Sequence, residues 1–246
     1  MSSDPVRSAI VLAGGLGTRL RSVVAALPKP MAPVAGRPFL AHQLDQWIAQ
    51  GVHHFVLAVG YRHESICEHF GDRYRGATVS YSIEQEPLGT GGALLQAARQ
   101  LPDDERLLLL NGDTYFDVKL EPFAAFAREH DSDWCFALFR AHEAGRYMGM
   151  TVEADCRISA LKSDDQRLGR LANGGVYLVH PRSLRNAGLT GAGPCSLEND
   201  LFPAWLAQGQ RFHGLAVDAR FIDIGVPQDY HRAADVLPQA SKEWPC

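Results

Sequence analysis

Short apolar runs alternate with helical periods through the first half of the chain. Residues 10–13 (Ile10, Val11, Leu12, Ala13) form an apolar run that stops at Gly14, as a strand covered on both faces does. Residues 39–50 carry Phe39, Leu40, Leu44, Trp47 and Ile48 at helical spacing and end at Gly51. A second strand is expected at 55–59, closed by Gly60, then a short helix at 65–70 and a third strand at 79–83. A helix over 91–101, with Pro102 beyond it, leads to a fully apolar strand at 107–110. Strands and helices alternating at this spacing predict an α/β fold, with a Rossmann-like, mostly parallel sheet flanked by helices. Such sheets bind ligands at the carboxyl ends of their strands, and Gly14, Glu84 and Asp113 all stand at expected strand ends.

The second half is less regular. A helix is expected at 123–130 and a strand at 134–139, then shorter, partly antiparallel strands at 150–153, 157–161 and 176–179. Residues 197–208 read as one helix with Ser196 as its N-cap and Glu198 and Asp200 in its first turn. Strands at 212–217 and 221–224 and a helix at 228–236 close the pattern. With no internal repeat or long linker, one domain is expected over 1–237, with 238–246 as a tail.

Composition narrows the class. At 246 residues and 46% apolar, the chain can fill one large α/β core. A net charge of -4 offers no field for nucleic acid or an anionic membrane, so any useful cation must be local. The N-terminus has no signal-peptide pattern, and no apolar stretch approaches membrane-spanning length. The five cysteines are scattered and never in C-x-x-C spacing, which suits reduced thiols and a cytoplasmic enzyme. The histidines form no metal pattern, since His53 and His54 begin a strand and face opposite sides. No G-x-S-x-G elbow or nucleophilic cysteine is present.

The candidate chemistry begins at Gly14, Gly15 and Gly17, which leave backbone N–H groups bare where a phosphate could approach. The spacing is not that of a P-loop, because no Lys-Ser or Lys-Thr follows these glycines. It is not a dinucleotide fingerprint either, because Leu20 stands where Gly or Ala is required. Two cations follow, Arg19 and Lys29, the second held between Pro28 and Pro30 with little backbone freedom. Asp113, at the exit of a buried strand, needs a cation or donors, and beside a triphosphate loop Mg²⁺ suits it.

Gly14-Gly15-Leu16-Gly17-Thr18-Arg19-Leu20 followed by Pro28-Lys29-Pro30 resembles the signature of the sugar nucleotidyltransferases. Members of that family join a nucleoside triphosphate to a sugar 1-phosphate and release pyrophosphate. The resemblance spans roughly residues 8–236 and implies the nucleotide-diphospho-sugar transferase fold, with a smaller β-rich portion for the sugar. It places the nucleotide against Leu12, Ala13, Gly14, Gly15, Gly17, Thr18, Arg19, Asn111 and Gly112. The segment from Glu84 through Pro87-Leu88-Gly89-Thr90 would receive the base, with Glu84 facing it and Gly89 as its nearest backbone neighbour. A carboxylate only accepts, so it matches the paired N1 and N2 donors of guanine, whereas an amide would serve uracil or thymine better.

The family's late motif D-x-G-T-P-x-D-Y stands here as Asp223-Ile224-Gly225-Val226-Pro227-Gln228-Asp229-Tyr230, which implies Asp223 as the second ligand of Mg²⁺ beside Asp113. Asn173-Gly174-Gly175 resembles the segment against the sugar ring. Glu198 resembles the acid that accepts from sugar hydroxyls, although charge complementarity at a helix start explains it equally well. Tyr147 and Gly149 lie in a variant of the family's R-Y-G segment with one residue inserted. The family's Glu-Lys pair before the sugar segment falls at Ser163-Asp164, with Lys162 two residues early, so Lys162, Arg167 or Arg170 are alternatives for the sugar phosphate.

The reaction implied is attack by a sugar 1-phosphate oxygen on the α-phosphorus, with no general base because the nucleophile is already anionic. Arg19 would hold the β- and γ-phosphates, Lys29 would bridge the α-phosphate and the acceptor, and the Mg²⁺ acids would offset charge. Within the family, the segments around Glu84, Asp113 and Asn173 are most similar to short guanylyltransferases of D-glycero-α-D-manno-heptose 1-phosphate. GTP and that sugar phosphate are therefore the expected partners. Mannose or N-acetylmuramate 1-phosphate nucleotidyl transfer, and a non-catalytic sugar-nucleotide sensor, are the alternatives.

Overall fold

The computed structural model describes residues 5–15, 17, 20, 24, 27–143, 147, 149–163, 167–185 and 194–238. Thr18, Arg19 and all but the first residue of the expected tail lie outside the described residues. The first half runs β1 (Ser8–Leu12), β2 (Pro33–Val34), β3 (Arg37–Pro38), α1 (Phe39–Ile48), β4 (His54–Val59), α2 (His63–Phe70), β5 (Arg73–Tyr74), β6 (Ala77–Ile83), α3 (Gly89–Ala98) and β7 (Leu107–Asn111). Then follow β8 (Thr114–Phe116), α4 (Leu120–Glu129), β9 (Trp134–Arg140), β10 (Gly149–Val152), β11 (Ile158–Ser163), β12 (Leu171–Val179) and α5 (Pro181–Arg185). The chain closes with α6 (Phe202–Ala207), β13 (Phe212–Ala216), β14 (Phe221–Asp223) and α7 (Pro227–Val236).

A ten-stranded sheet takes the order β11-β10-β12-β7-β1-β4-β6-β5, with β9 between β12 and β13. Strands β7, β1, β4 and β6 are parallel. The chain steps from β1 out to β4 and β6, then returns to β7 on the other side of β1. Ligands bind at such a reversal. From β7 onward the sheet is extended by antiparallel pairing through β12, β10 and β11.

The parallel strands are apolar at successive positions because both faces are covered. Val11, Leu57 and Leu110 pack with Leu44 and Trp47 of α1, Phe70 of α2 and Phe123 of α4. Ile10, Val56 and Leu109 pack with Leu94 of α3 and Phe202 and Trp205 of α6. Each such fully buried large side chain contributes about 1.5–3 kcal/mol. No helix among the described residues is long and apolar enough to cross a membrane.

Two expectations for the second half are corrected. Residues 197–208 are not one helix, because a π-type turn over Leu197–Leu201 precedes α6. Pro203 has no N–H for the carbonyl four residues back, so the α pattern cannot run through it. The strand expected at 176–179 begins at Leu171, because Gly174 and Gly175 do not end it. The pairing with β9 shifts register between Asn173 and Tyr177, and Gly175 takes φ +68 within that bulge.

Helix α1 also positions the segment after β7. Gln43 Nε2 donates to the carbonyls of Asn111 (2.8 Å) and Thr114 (2.7 Å). Gln46 donates to Phe116, and Gln50 both donates to Val118 and accepts from the Leu120 N–H. Two glutamines of α1 and Gln50 just beyond it therefore bond the backbone of this segment. Gln43→Ala strips both donated bonds from a buried turn and is expected to lower unfolding free energy by about 2 kcal/mol. Urea titration checks this, and a loss under about 0.5 kcal/mol would mean that the turn stands without Gln43.

Candidate active site

Sheet register brings separate loops to one rim. Leu12 pairs with Ala58 and with Asn111, and Val59 pairs with Ile83. Backbone bonds continue one step past the strands, from Ala13 N to Ala58 O, Glu84 N to Val59 O and Gly112 N to Leu12 O. Asp113, Gly14, Gly60 and Glu84 thus follow one another along the carboxyl edge. A cleft of about 850 Å³ lies there. Leu12, Ala13, Gly14, Gly15 and Gly17 line it, as do Asn111 and Gly112. Lys29, Glu84, Gly89, Thr90, Asp113, Glu198 and Asp223 complete the candidate residues found there.

Lys29 opens a single 3-10 turn, Lys29–Met31, after an extended Pro28. Its Nζ lies 2.5 Å from Asp113 Oδ2 and 3.7 Å from Asp223 Oδ1. Asp223 reaches the site because β14 pairs with β8, opposite Thr114, and Ile224 N donates to Asp113 O at 3.0 Å. Gly225 N donates to Asp223 Oδ1 at 2.6 Å, and a Cβ at Gly225 would stand 3.1 Å from the ammonium. A side chain at this position would press on both charged groups. One cation thus offsets two carboxylates that share a site.

Both carboxylates therefore face one point that already favours positive charge. No group of three or more His, Cys, Asp or Glu side chains fit for a metal occurs among the described residues. Two carboxylates alone suit Mg²⁺, which takes its other ligands from phosphate oxygens and water.

At the other end of the rim, Glu84 Oε2 accepts from Leu88 N at 2.8 Å. Its Oε1 lies where a Cβ on Gly14 would be, and a Cβ on Gly60 would stand 3.3 Å from Gly14 O. Two side-chain-free positions beside a carboxylate form a flat floor with an acceptor at its edge. Burial raises the Glu84 pKa above the usual carboxylate value, and the Leu88 N–H bond opposes this only in part.

The candidates for the sugar side divide. Glu198 faces the cleft, and Lys162 Nζ donates to Asn199 Oδ1 at 2.7 Å, beside it. Arg170 is turned to backbone, donating to the carbonyls of Glu143, Tyr147 and Arg167. Tyr147 packs edge-on against Phe139 at 5.0 Å, and Gly149 pairs with Ala172 and Ser163 within the sheet. Asn173 donates to Tyr177 Oη (2.7 Å) and accepts from Gly175 N (3.0 Å). Gly174 is packed so tightly that a Cβ there would stand 2.5 Å from the Phe116 ring. Tyr147, Gly149, Lys162, Asn173 and Gly174 do not line the 850 Å³ cleft.

The lining also holds the β4–α2 connection, Gly60 to Arg62, and His63 and Glu64 at the start of α2, which the sequence pattern did not single out. The strand-end rule applied to Gly14, Glu84 and Asp113 applies equally after Val59. Arg62 takes a left-handed conformation there, φ +54 and ψ +38, uncommon for a residue with a side chain.

A cleft at a sheet reversal, with bare glycine backbone, one lysine between two acids and an acceptor at the far end, defines a nucleotide-handling α/β enzyme. Residues 8–240 match the nucleotidyl transferase family, and the chain belongs to it. It is 41% identical over 229 residues to a D-glycero-α-D-manno-heptose 1-phosphate guanylyltransferase of Aneurinibacillus thermoaerophilus, covering 93% of this chain and 97% of that one. It is 35% identical to the enzyme of that name from Campylobacter jejuni, covering 91% and 96%. The fold matches the crystal structure of HddC from Yersinia pseudotuberculosis complexed with GMP-PN, at TM-score 0.81 and 30% identity, covering 94% of this chain and 99% of that one.

The raised pKa of Glu84 has a stability consequence. The folded state binds the proton more tightly than the unfolded one, so this group removes stability as pH rises from its ordinary value through its folded value. Glu84→Gln keeps an acceptor for Leu88 N and abolishes that loss. The variant is expected to equal the parent near pH 4 and to melt higher towards pH 7. Thermal unfolding across that range checks it, and a gap that shrinks with rising pH would contradict the burial argument.

Proposed function

We propose that the protein transfers GMP from GTP to D-glycero-α-D-manno-heptose 1-phosphate, giving the GDP-heptose and pyrophosphate. The observation that carries this is Lys29, whose ammonium is shared by Asp113 and Asp223 at one end of the cleft while Glu84 stands at the other. The guanylyltransferase relatives support the choice of base and acceptor.

The base lies on the Gly14–Gly60 floor, with its N1 and N2 donors towards Glu84. The triphosphate then runs along the rim towards Asp113. An anionic oxygen of the sugar 1-phosphate attacks the α-phosphorus, the new P–O bond forms, and the bond to the bridging oxygen breaks. Pyrophosphate leaves with that electron pair, so no proton has to move. Lys29 draws the α-phosphate and the acceptor phosphate together and screens their repulsion. Arg19 is assigned to the β- and γ-phosphates. Asp113 and Asp223 would hold Mg²⁺, which supplies further neutralisation of the phosphate oxygens when bound. We place the reaction in the cytoplasm and its product among the donors for cell-surface polysaccharide.

Pyrophosphate release over ATP, CTP, GTP and UTP and a panel of sugar 1-phosphates tests this. Turnover is expected to be fastest with GTP and the heptose 1-phosphate, with GTP ahead of UTP by about 100-fold or more. Glu84→Gln should narrow that gap by about ten-fold or more, because an amide also donates. Silence on every pair would leave a nucleotide-binding sensor instead.

Lys29→Ala is expected to lower kcat by about 10³-fold, with circular dichroism and melting close to the parent. Near-normal turnover by the pure variant would refute the role of Lys29.

A further inference from the structure

We infer that Thr90 is a positioning residue that sets the carboxylate of Glu198 for the acceptor sugar, an inference that rests on Glu198 accepting from sugar hydroxyls. Thr90 stands in the first turn of α3, within the base segment, and Glu198 lies in the π-type turn 108 positions later. Thr90 Oγ1 accepts from Leu197 N at 2.8 Å and donates to Glu198 Oε2 at 2.8 Å. Ser196 Oγ repeats the arrangement, accepting from Asn199 N and donating to the same Oε2, both at 3.1 Å.

A hydroxyl has one proton. Where a backbone N–H occupies its lone pair, that proton is left to point at the carboxylate. Both protons therefore meet on Oε2, and Oε1 makes no hydrogen bond among the described residues, on a side chain that lines the cleft. A carboxylate held through one oxygen and open at the other is prepared for a diol.

The two segments are also joined by backbone. Cys195 N donates to Leu88 O and Gly91 N to Cys195 O, both at 2.9 Å. Gly89 takes φ +70 there, and a Cβ on it would overlap the Cys195 carbonyl, so glycine is what permits this approach. The Thr90 hydroxyl is thereby carried to Glu198 on a fixed backbone.

Kinetics with the full chain test this, using the sugar 1-phosphate that the parent protein turns over. Thr90→Val keeps the shape and removes the hydroxyl. It is expected to raise KM for the sugar 1-phosphate about ten-fold, several times more than it raises KM for GTP, and Thr90→Ser should restore the parent value for the sugar. Ser196→Ala, which leaves the Thr90 bond in place, should give a smaller rise in the same KM. Equal rises in both KM values, no rise at all, or a serine variant no better than valine would overturn the inference while the transferase reading stands. No turnover by the parent on any sugar 1-phosphate would overturn both.

Discussion

A cleft meant for two phosphate-bearing substrates has to be positive where the phosphates meet, yet this one is lined by Glu64, Glu84, Asp113, Glu198 and Asp223. Among the described lining residues only Lys29 and Arg62 are Lys or Arg. Much of the local architecture serves the placement of that lysine between its acids. Pro28 and Pro30 fix the turn that carries it, and Gly225 lets Asp223 close in from β14. Gly17, at φ +57, passes where a Cβ would lie 3.1 Å from that of Lys29. The ammonium offsets two like charges aimed at one point, 2.5 Å from Asp113 Oδ2 and 3.7 Å from Asp223 Oδ1.

Glu84 poses the opposite problem. Among the described residues it is partly buried without a cationic partner, and the N–H of Leu88 supports it. Folding alone gives no reason for a carboxylate there, since an amide would accept the same bond without the desolvation cost. An acceptor-only group beside two side-chain-free positions makes sense against a flat ligand with adjacent donors. On the proposed function, bases that lack those donors would leave the acid unsatisfied, a discrimination that a hydrophobic slot could not achieve.

The legible parts of the chain were those where one cause decides the structure. The parallel strands are apolar throughout because both faces are covered, and they fall where the apolar runs lie. The rule that ligands gather at strand ends brought Gly14, Glu84 and Asp113 together from sequence alone, and would have found Gly60 to Glu64 had it been applied once more. What remained hidden depends on partners far apart in the chain. Strand β14 was expected at 221–224, but the three residues of β8 are too few for any periodicity, and the pairing of the two is what brings Asp223 to Asp113. Asn173, Gly174 and Arg170 carried a motif or a charge that suggested contact with sugar. Their side chains, or the lack of one, hold a bulge, admit the Phe116 ring and bond the carbonyls of Glu143 and Tyr147.

The two halves of the chain meet the substrate differently, and their joints explain how they stay in register. The parallel half carries the glycine loop, Glu84 and Asp113. The later half brings Asp223 and Glu198, each mounted on an element of the first half. β14 lies on β8, and the turn after Cys195 lies on the start of α3. Glycine marks each joint, Gly225 against the Asp223 carboxylate and the Lys29 ammonium at the first, and Gly89, φ +70, against the Cys195 backbone at the second. Asp223 and Glu198 are thus held to the first half by short main-chain contacts, from Ile224 N to Asp113 O and from Cys195 N to Leu88 O. The residues around the sugar can then change size and charge without moving the acids, provided these two joints persist.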